Sequence, residues 1–271
     1  MKILEQYINS KNGNLDVCED GILITDNFVC LVDGATAKGK LLWNGKKGGY
    51  FAKEVILEAV KEFDKDIQAH QAIKLLTEAL RRQYGDNFDH FVNNPQDRIE
   101  ASLLIYSKAK KQVWSYGDCQ LMLDGKLYEH EKMLDKINSD ARALYNTILL
   151  ESGKTLEQLQ EDDLGRKLIL PILETQSLLA NKDGEFGYGV LNGIGYNPNY
   201  IEVYEVEKNQ EIVFASDGYP FLKSTLAESE KLLQEVLQKD PFLISVYKST
   251  KGLMQGNISY DDRSYLKFKD E

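Results

Sequence analysis

Cysteine, histidine and proline are scarce in this chain. Its cysteines are three, Cys18, Cys30 and Cys119, an odd and small number that excludes a disulfide framework and predicts a reducing, cytoplasmic setting. Cys18 and Cys119 stand beside acidic residues, so they read either as core thiols or as redox-sensitive ones. Its three histidines, His70, His90 and His130, all lie in polar surroundings and read as surface residues. No His/Cys cluster has zinc-ligand spacing. No apolar run approaches about 18 residues, so no membrane span is expected. The start Met1-Lys2-Ile3-Leu4-Glu5 lacks a signal peptide's apolar stretch. Positive charge is short as well. A formal net charge of −10 argues against nucleic acid or an anionic membrane as partner, since a phosphate backbone needs a basic footprint.

What the chain does have is acid at the ends of apolar strands. Phe28-Val29-Cys30-Leu31-Val32 is an unbroken apolar run that suits a strand buried on both faces. It ends in Asp33-Gly34. Ile212 to Ala215 repeats the device and ends in Ser216-Asp217-Gly218. Val113 to Tyr116 leads to Gly117-Asp118-Cys119, Glu19-Asp20-Gly21 precedes a strand, and Asp261-Asp262 precedes the last one. A lone Asp-Gly is ordinary turn punctuation. Five acidic positions at the edges of five apolar strands are a candidate oxygen-donor set, and carboxylate and carbonyl oxygens are what Mg²⁺ and Mn²⁺ prefer.

In this order the segments resemble the metal-dependent Ser/Thr phosphatases, the protein phosphatase 2C-like family, nearly end to end. Val32-Asp33-Gly34 with Gly48-Gly49 resembles an Asp-Gly-His-Gly-Gly block stretched by an insertion. The resemblance implies an α+β fold, a four-layer αββα sandwich of two mainly antiparallel sheets flanked by helices, as one domain over residues 1–271. It implies two Mn²⁺ or Mg²⁺ ions, with a weaker third. By carry-over Asp33 bridges the ions, Gly34 lends its carbonyl, and Asp217 and Asp261 complete one ion. Glu19 and Asp20 surround the other, and Asp118 helps hold the third. Asp33, Asp217 and Asp261 are then the catalytic set.

The substrate-handling residues depart from the family. Leu15 stands where an arginine usually grips phosphate, Ala35 where a histidine follows Asp-Gly, and Gly218-Tyr219-Pro220-Phe221 lacks a second acid. Among the chain's arginines, Arg98 is the candidate phosphate ligand, because pairing of Ala101–Tyr106 with Val113–Tyr116 brings it near the level of Asp118. The alternative is an ion pair with Asp97 or Glu100. The favoured reading is hydrolysis of a phosphorylated protein or small phosphomonoester. The alternatives are a catalytically weak or inactive module of the same fold that binds a partner or phosphopeptide, and a purely structural protein.

Further expectations concern the elements. Gly21–Thr25 and Phe28–Val32 pair as a hairpin. Strands 101–106, 113–116 and 120–123 run consecutively, and 201–206 and 211–215 form a hairpin around Lys208-Asn209. Asp86–Asp97 is a polar loop. Helices cover 51–63, 73–84, 133–153, 226–237 and 242–250. Leu156–Leu179 is helical, interrupted near Pro171, and reads as a lid over the site or as a solvated face.

Overall fold

A computed structural model describes residues 1–130 and 132–270. Two five-stranded sheets face each other, and every strand pairing in them is antiparallel. The first sheet has the order β2 (Asp20–Ile24), β3 (Phe28–Gly34), β4 (Ala101–Ser107), β5 (Gln112–Tyr116), β8 (Glu202–Glu205). The second has β1 (Lys2–Asn9), β10 (Arg263–Lys269), β9 (Glu211–Ala215), β6 (Gln120–Leu123), β7 (Lys126–Tyr128).

The apolar runs form the central strands because each has two faces to cover. On β3, Val29 and Leu31 meet Leu121, Phe214, Leu266 and Phe268 in the core between the sheets. Cys30 and Val32 point the other way, onto α1 (Gly48–Lys61) and α2 (Ala69–Tyr84) through Ile56, Ile73, Leu76 and Leu80. Val213 and Ala215 on β9 face outward beneath Leu233, Val236 and Leu237 of α7 (Leu226–Lys239). This is the expected four-layer sandwich.

Several local expectations are corrected. The segments 201–206 and 211–215 do not form a hairpin: β8 pairs with β5, whereas β9 lies between β6 and β10 in the other sheet. Burial on both sides draws β9 to the middle of a sheet, while β8 remains a largely exposed edge. The chain changes sheets between β5 and β6 as well. It turns there at Gly117, whose φ of +110° and contact with Ser102 leave no room for a side chain; a Cβ would lie 2.2 Å from the Ser102 hydroxyl.

The polar loop 86–97 contains a short helix, α3 (Phe88–Asn93), because Phe91 is drawn into the core. Residues 242–250 are not helical. The Asp240 carboxylate accepts from the amides of Ile244, Ser245 and Val246 at 2.7–3.0 Å, a local bonding pattern that competes with the helix. After α4 (Met133–Glu151), the 156–179 region breaks between α5 (Leu156–Glu161) and α6 (Leu164–Thr175). Asp163 caps α6 there at 2.8 Å to the Arg166 amide, and Pro171 lies inside α6 without ending it.

Among the described residues no helix is long and apolar enough to cross a membrane.

Candidate functional site

All the strand-edge acids reach one end of the sandwich. Antiparallel pairing sets Asp20 opposite Asp33, and Asp33 opposite Ser102 on β4. The Ser102 hydroxyl donates to Asp118 at 2.5 Å. From the second sheet, the turn after β9 brings the Asp217 amide to within 3.4 Å of the Asp33 carboxylate, and Asp261 enters just before β10. Glu19, Asp20, Asp33, Gly34, Asp118, Asp217 and Asp261 all line one cavity of about 90 Å³.

The glycines of the interrupted block meet as well. A Cβ on Gly34 would lie 2.3 Å from the Gly49 carbonyl oxygen, so residues 35–47 loop out while the two glycine backbones stay in contact. Asp262 is a staple: its two carboxylate oxygens accept the Lys11 and Glu19 amides at 2.9 and 2.8 Å.

The acids divide into two sets. One set is already paired with lysine. Lys132 lies 2.5 Å from Asp118, Lys251 pairs with Asp261, and Lys11 lies 3.5–3.8 Å from Glu19, Asp261 and Asp262. Burial acts against ionisation of Asp118 and Asp261, but Lys132 and Lys251 outweigh it and hold both carboxyls below their ordinary value.

In the other set, no lysine or arginine pairs with Asp20, Asp33 or Asp217 among the described residues. Desolvation pushes Asp20 up to about 8, aided by the Asp262 charge. Desolvation and the Asp217 charge lift Asp33 well above the carboxylate range. Asp217 rises to about 7 for the same reasons, with Asp261 as the repelling charge. Asp217 stands on the rim open to water, where solvent screens the charges around it.

Two buried oxygens, Glu19 Oε1 and Asp20 Oδ2, have no hydrogen-bond partner among the described residues. Such all-oxygen chemistry suits a hard divalent ion on the Asp20–Asp33–Asp217 side. Against it stand the lysines on the remaining carboxylates. Among the described residues, no three Asp, Glu, His or Cys side chains are drawn together closely enough to hold a metal ion.

Arg98 is corrected. It is buried, its guanidinium donates to the carbonyls of Phe91, Val92 and Ser177 at 2.6–2.8 Å, and it does not line the cavity. It ties α3 to the segment after α6, and among the described residues no ion pair joins it to Asp97 or Glu100, although its charge acts on the buried Glu100 carboxyl. The arginine that does line the cavity is Arg166 of α6, along with Leu173 and Gln176. The 156–179 region therefore supplies part of the cavity wall.

Lys38, Lys132 and Lys251 also line the cavity, and sequence reading singled out none of them. None of the three histidines lines it; His90 is bound to Asp97 and His130 to Tyr204. Cys18 and Cys119 are buried thiols. Desolvation pushes Cys18 up to about 12 and Cys119 well above its ordinary value, so both are inert core residues.

No known protein-family pattern matches the sequence, and no curated protein does. Solved structures do match. The catalytic domain of serine threonine protein phosphatase PstP in complex with 2 manganese ions aligns at 16% identity and a TM-score of 0.49, over 100% of both chains. PppA, a key regulatory component of T6SS in Pseudomonas aeruginosa, aligns at 13% and 0.46, over 98% of this chain and 97% of that one. The Mycobacterium tuberculosis serine/threonine phosphatase PstP/Ppp aligns at 15% identity and a TM-score of 0.50 over 99% of each chain, so this chain has the fold of a metal-dependent, protein phosphatase 2C-like phosphatase at a sequence distance that carries the fold alone.

Proposed function

We propose that the chain is a phosphatase-fold module that engages a phosphorylated partner and is catalytically weak or silent. One observation supports this reading above the rest. Lys11, Lys132 and Lys251 sit on Glu19, Asp118, Asp261 and Asp262, the carboxylates that the family resemblance would give to metal ions or to their surroundings. Lys132 and Lys251, with Lys38 and Arg166, give the cavity ammonium and guanidinium donors for a phosphate, and Leu15 and Ala35 remove the family's usual phosphate grip and acid. The test is turnover of a small aryl phosphate with Mn²⁺, with Mg²⁺ and with chelator. Rates near background in all three, together with phosphopeptide binding by calorimetry, are expected; a strongly metal-dependent rate would sink the silent reading.

A second reading, metal-dependent hydrolysis by a divergent protein Ser/Thr phosphatase, is favoured by the acids that lack a cation. Asp20, Asp33 and Asp217, with the Gly34 carbonyl, would hold Mn²⁺ or Mg²⁺, and Asp261 and Asp118 would join only after leaving their lysines. Such ions supply Lewis acidity for attack of water on phosphorus and offset the charge that develops there. In this reading Asp33, Asp217 and Asp261 remain the catalytic set, acting on a phosphorylated protein or a small phosphomonoester.

A further inference from the structure

The acid cavity opens into a second, larger space. This groove has a volume of about 390 Å³, within the range of small-ligand sites. Lys132 and Lys251 line both spaces, together with Asp118, Asp135, Asp217, Thr250 and Asp261, and so mark a junction where the two lysines are the cations among four carboxylates. Beyond them one part of the wall is apolar and aromatic, and Glu129, His130, Lys223 and Lys248 line the rest. Phe221 is 41% exposed and Leu127 37% exposed, and Pro220 and Tyr247 stand beside them. The Phe221 and Tyr247 rings meet edge-on with centroids 5.8 Å apart, and Tyr247 leans on Tyr260 at 6.5 Å. Phe221 lies in the segment after Asp217 where the family resemblance loses its second acid.

We propose that this groove receives the ring of a phosphotyrosyl side chain in a peptide partner, with the phosphate at Lys132 and Lys251. The inference rests on the phosphate-binding reading above. A phosphate held at the junction can direct its ester group in two directions. The acid cavity is small and lined by carboxylates, which an apolar ring would desolvate without replacing their hydrogen bonds. The groove instead offers aromatic edges and faces, against which a ring gains contact beyond its burial. A phosphoserine reaches only one carbon from its backbone. It would leave these walls uncovered or draw peptide amides against them.

One labelled peptide, made with phosphotyrosine, phosphoserine or unmodified tyrosine at a single position, tests this by fluorescence anisotropy on the full chain in chelator, with inorganic phosphate as competitor. The phosphotyrosine form should bind at least about tenfold tighter than the phosphoserine form, a difference of about 1.4 kcal/mol. Phe221→Ala, a change at an exposed side chain, should bring the two within about twofold and leave competition by inorganic phosphate unchanged. Equal binding of the two phosphorylated forms to the unaltered protein, with phosphate still competing, overturns the ring subsite and spares the parent reading. So does a Phe221→Ala variant that keeps the preference. If neither phosphorylated form binds better than the unmodified peptide, both readings fall.

Discussion

Asp20 and Asp33 face each other directly across the β2–β3 ladder, two carboxylates on one face of a buried strand pair. Like charges placed opposite each other destabilise a sheet, and burial increases the cost. Something must neutralise the pair: a cation or a proton. Without a divalent ion the proton is held: burial first, then the Asp262 charge, pushes Asp20 up to about 8, and burial first, then the Asp217 and Asp20 charges, lifts Asp33 well above its ordinary 3.8.

A pH dependence follows. The folded chain keeps protons on Asp20, Asp33 and Asp217 that the unfolded chain releases near pH 4, so the folded state binds more protons in the interval between. Their contribution to stability is complete below about pH 4 and is lost as pH rises toward 7 and 8. Lys38, lowered to about 7 by burial, acts in the opposite direction above pH 7, and Asp118 and Asp261 act below pH 4. The interval to read is therefore pH 5 to 7. In chelator, Tm should fall across it, and Asp33→Asn should flatten the slope. A Tm that rises from pH 5 to 7, with the same three acids present, would contradict this charge arrangement.

Arg98→Ala should act on stability and leave ligand binding alone. The guanidinium holds three backbone carbonyls, and its removal leaves buried acceptors unpaired, at a cost of about 1–3 kcal/mol. Urea unfolding measures the loss. Phosphopeptide affinity, corrected for the folded fraction, should match that of the unaltered protein. A specific loss of phosphate affinity with unchanged stability would return Arg98 to the binding site.

The acids of the site were legible in sequence because each stands at one end of a strand, before it or after it, and strand ends are marked by an abrupt change between apolar and charged residues. Gly34 and Gly48-Gly49 were joined only by the family resemblance, as one block stretched by an insertion, and the backbone contact between Gly34 and Gly49 is seen in the fold. The lysines were not legible. Lys11 follows β1, Lys132 precedes α4 and Lys251 lies in the irregular stretch before β10, so no spacing connects them. A lysine in a polar segment also has the same sequence signature whether it is solvated or turned inward. The separation of β8 from β9 escaped for a different reason. Neighbouring strands usually pair, and only the two-sided burial of β9 overrides that rule. Arg98 was placed by register along β4, but the chain leaves the strand before reaching it, and its side chain follows α3 instead.

Gly49→Ala should be costly even though it lengthens the side chain by a single carbon. The new Cβ would lie 2.6 Å from the Ala35 carbonyl oxygen and 2.7 Å from both Glu19 Oε1 and the Gly34 carbonyl oxygen. Two of these are backbone atoms that cannot swing away. Overpacking of this kind costs about 1–3 kcal/mol, measured as a lower urea midpoint. A midpoint equal to that of the unaltered protein would mean that the Gly34–Gly49 contact is looser than described.

The lysines give the last prediction, which separates the two functional readings. Lys132 and Lys251 are mostly buried against Asp118 and Asp261, and each pair leaves less than a third of its side chains open to water. An ammonium group on a carboxylate competes with any metal ion for the same oxygens. Lys132→Met and Lys251→Met each remove that competitor and leave an unpaired carboxylate. In chelator each variant should lose about 1.5–3 kcal/mol, the worth of a charged hydrogen bond. Calorimetry with Mn²⁺ should show binding to the double variant at least about tenfold tighter than to the unaltered chain. Mn²⁺ at about 100 times its Kd should then return about 2.7 kcal/mol of stability to the double variant. If the lysines merely rest on acids that a metal displaces without effort, the unaltered chain will bind Mn²⁺ as tightly as the double variant, and the hydrolase reading gains at the expense of the silent one.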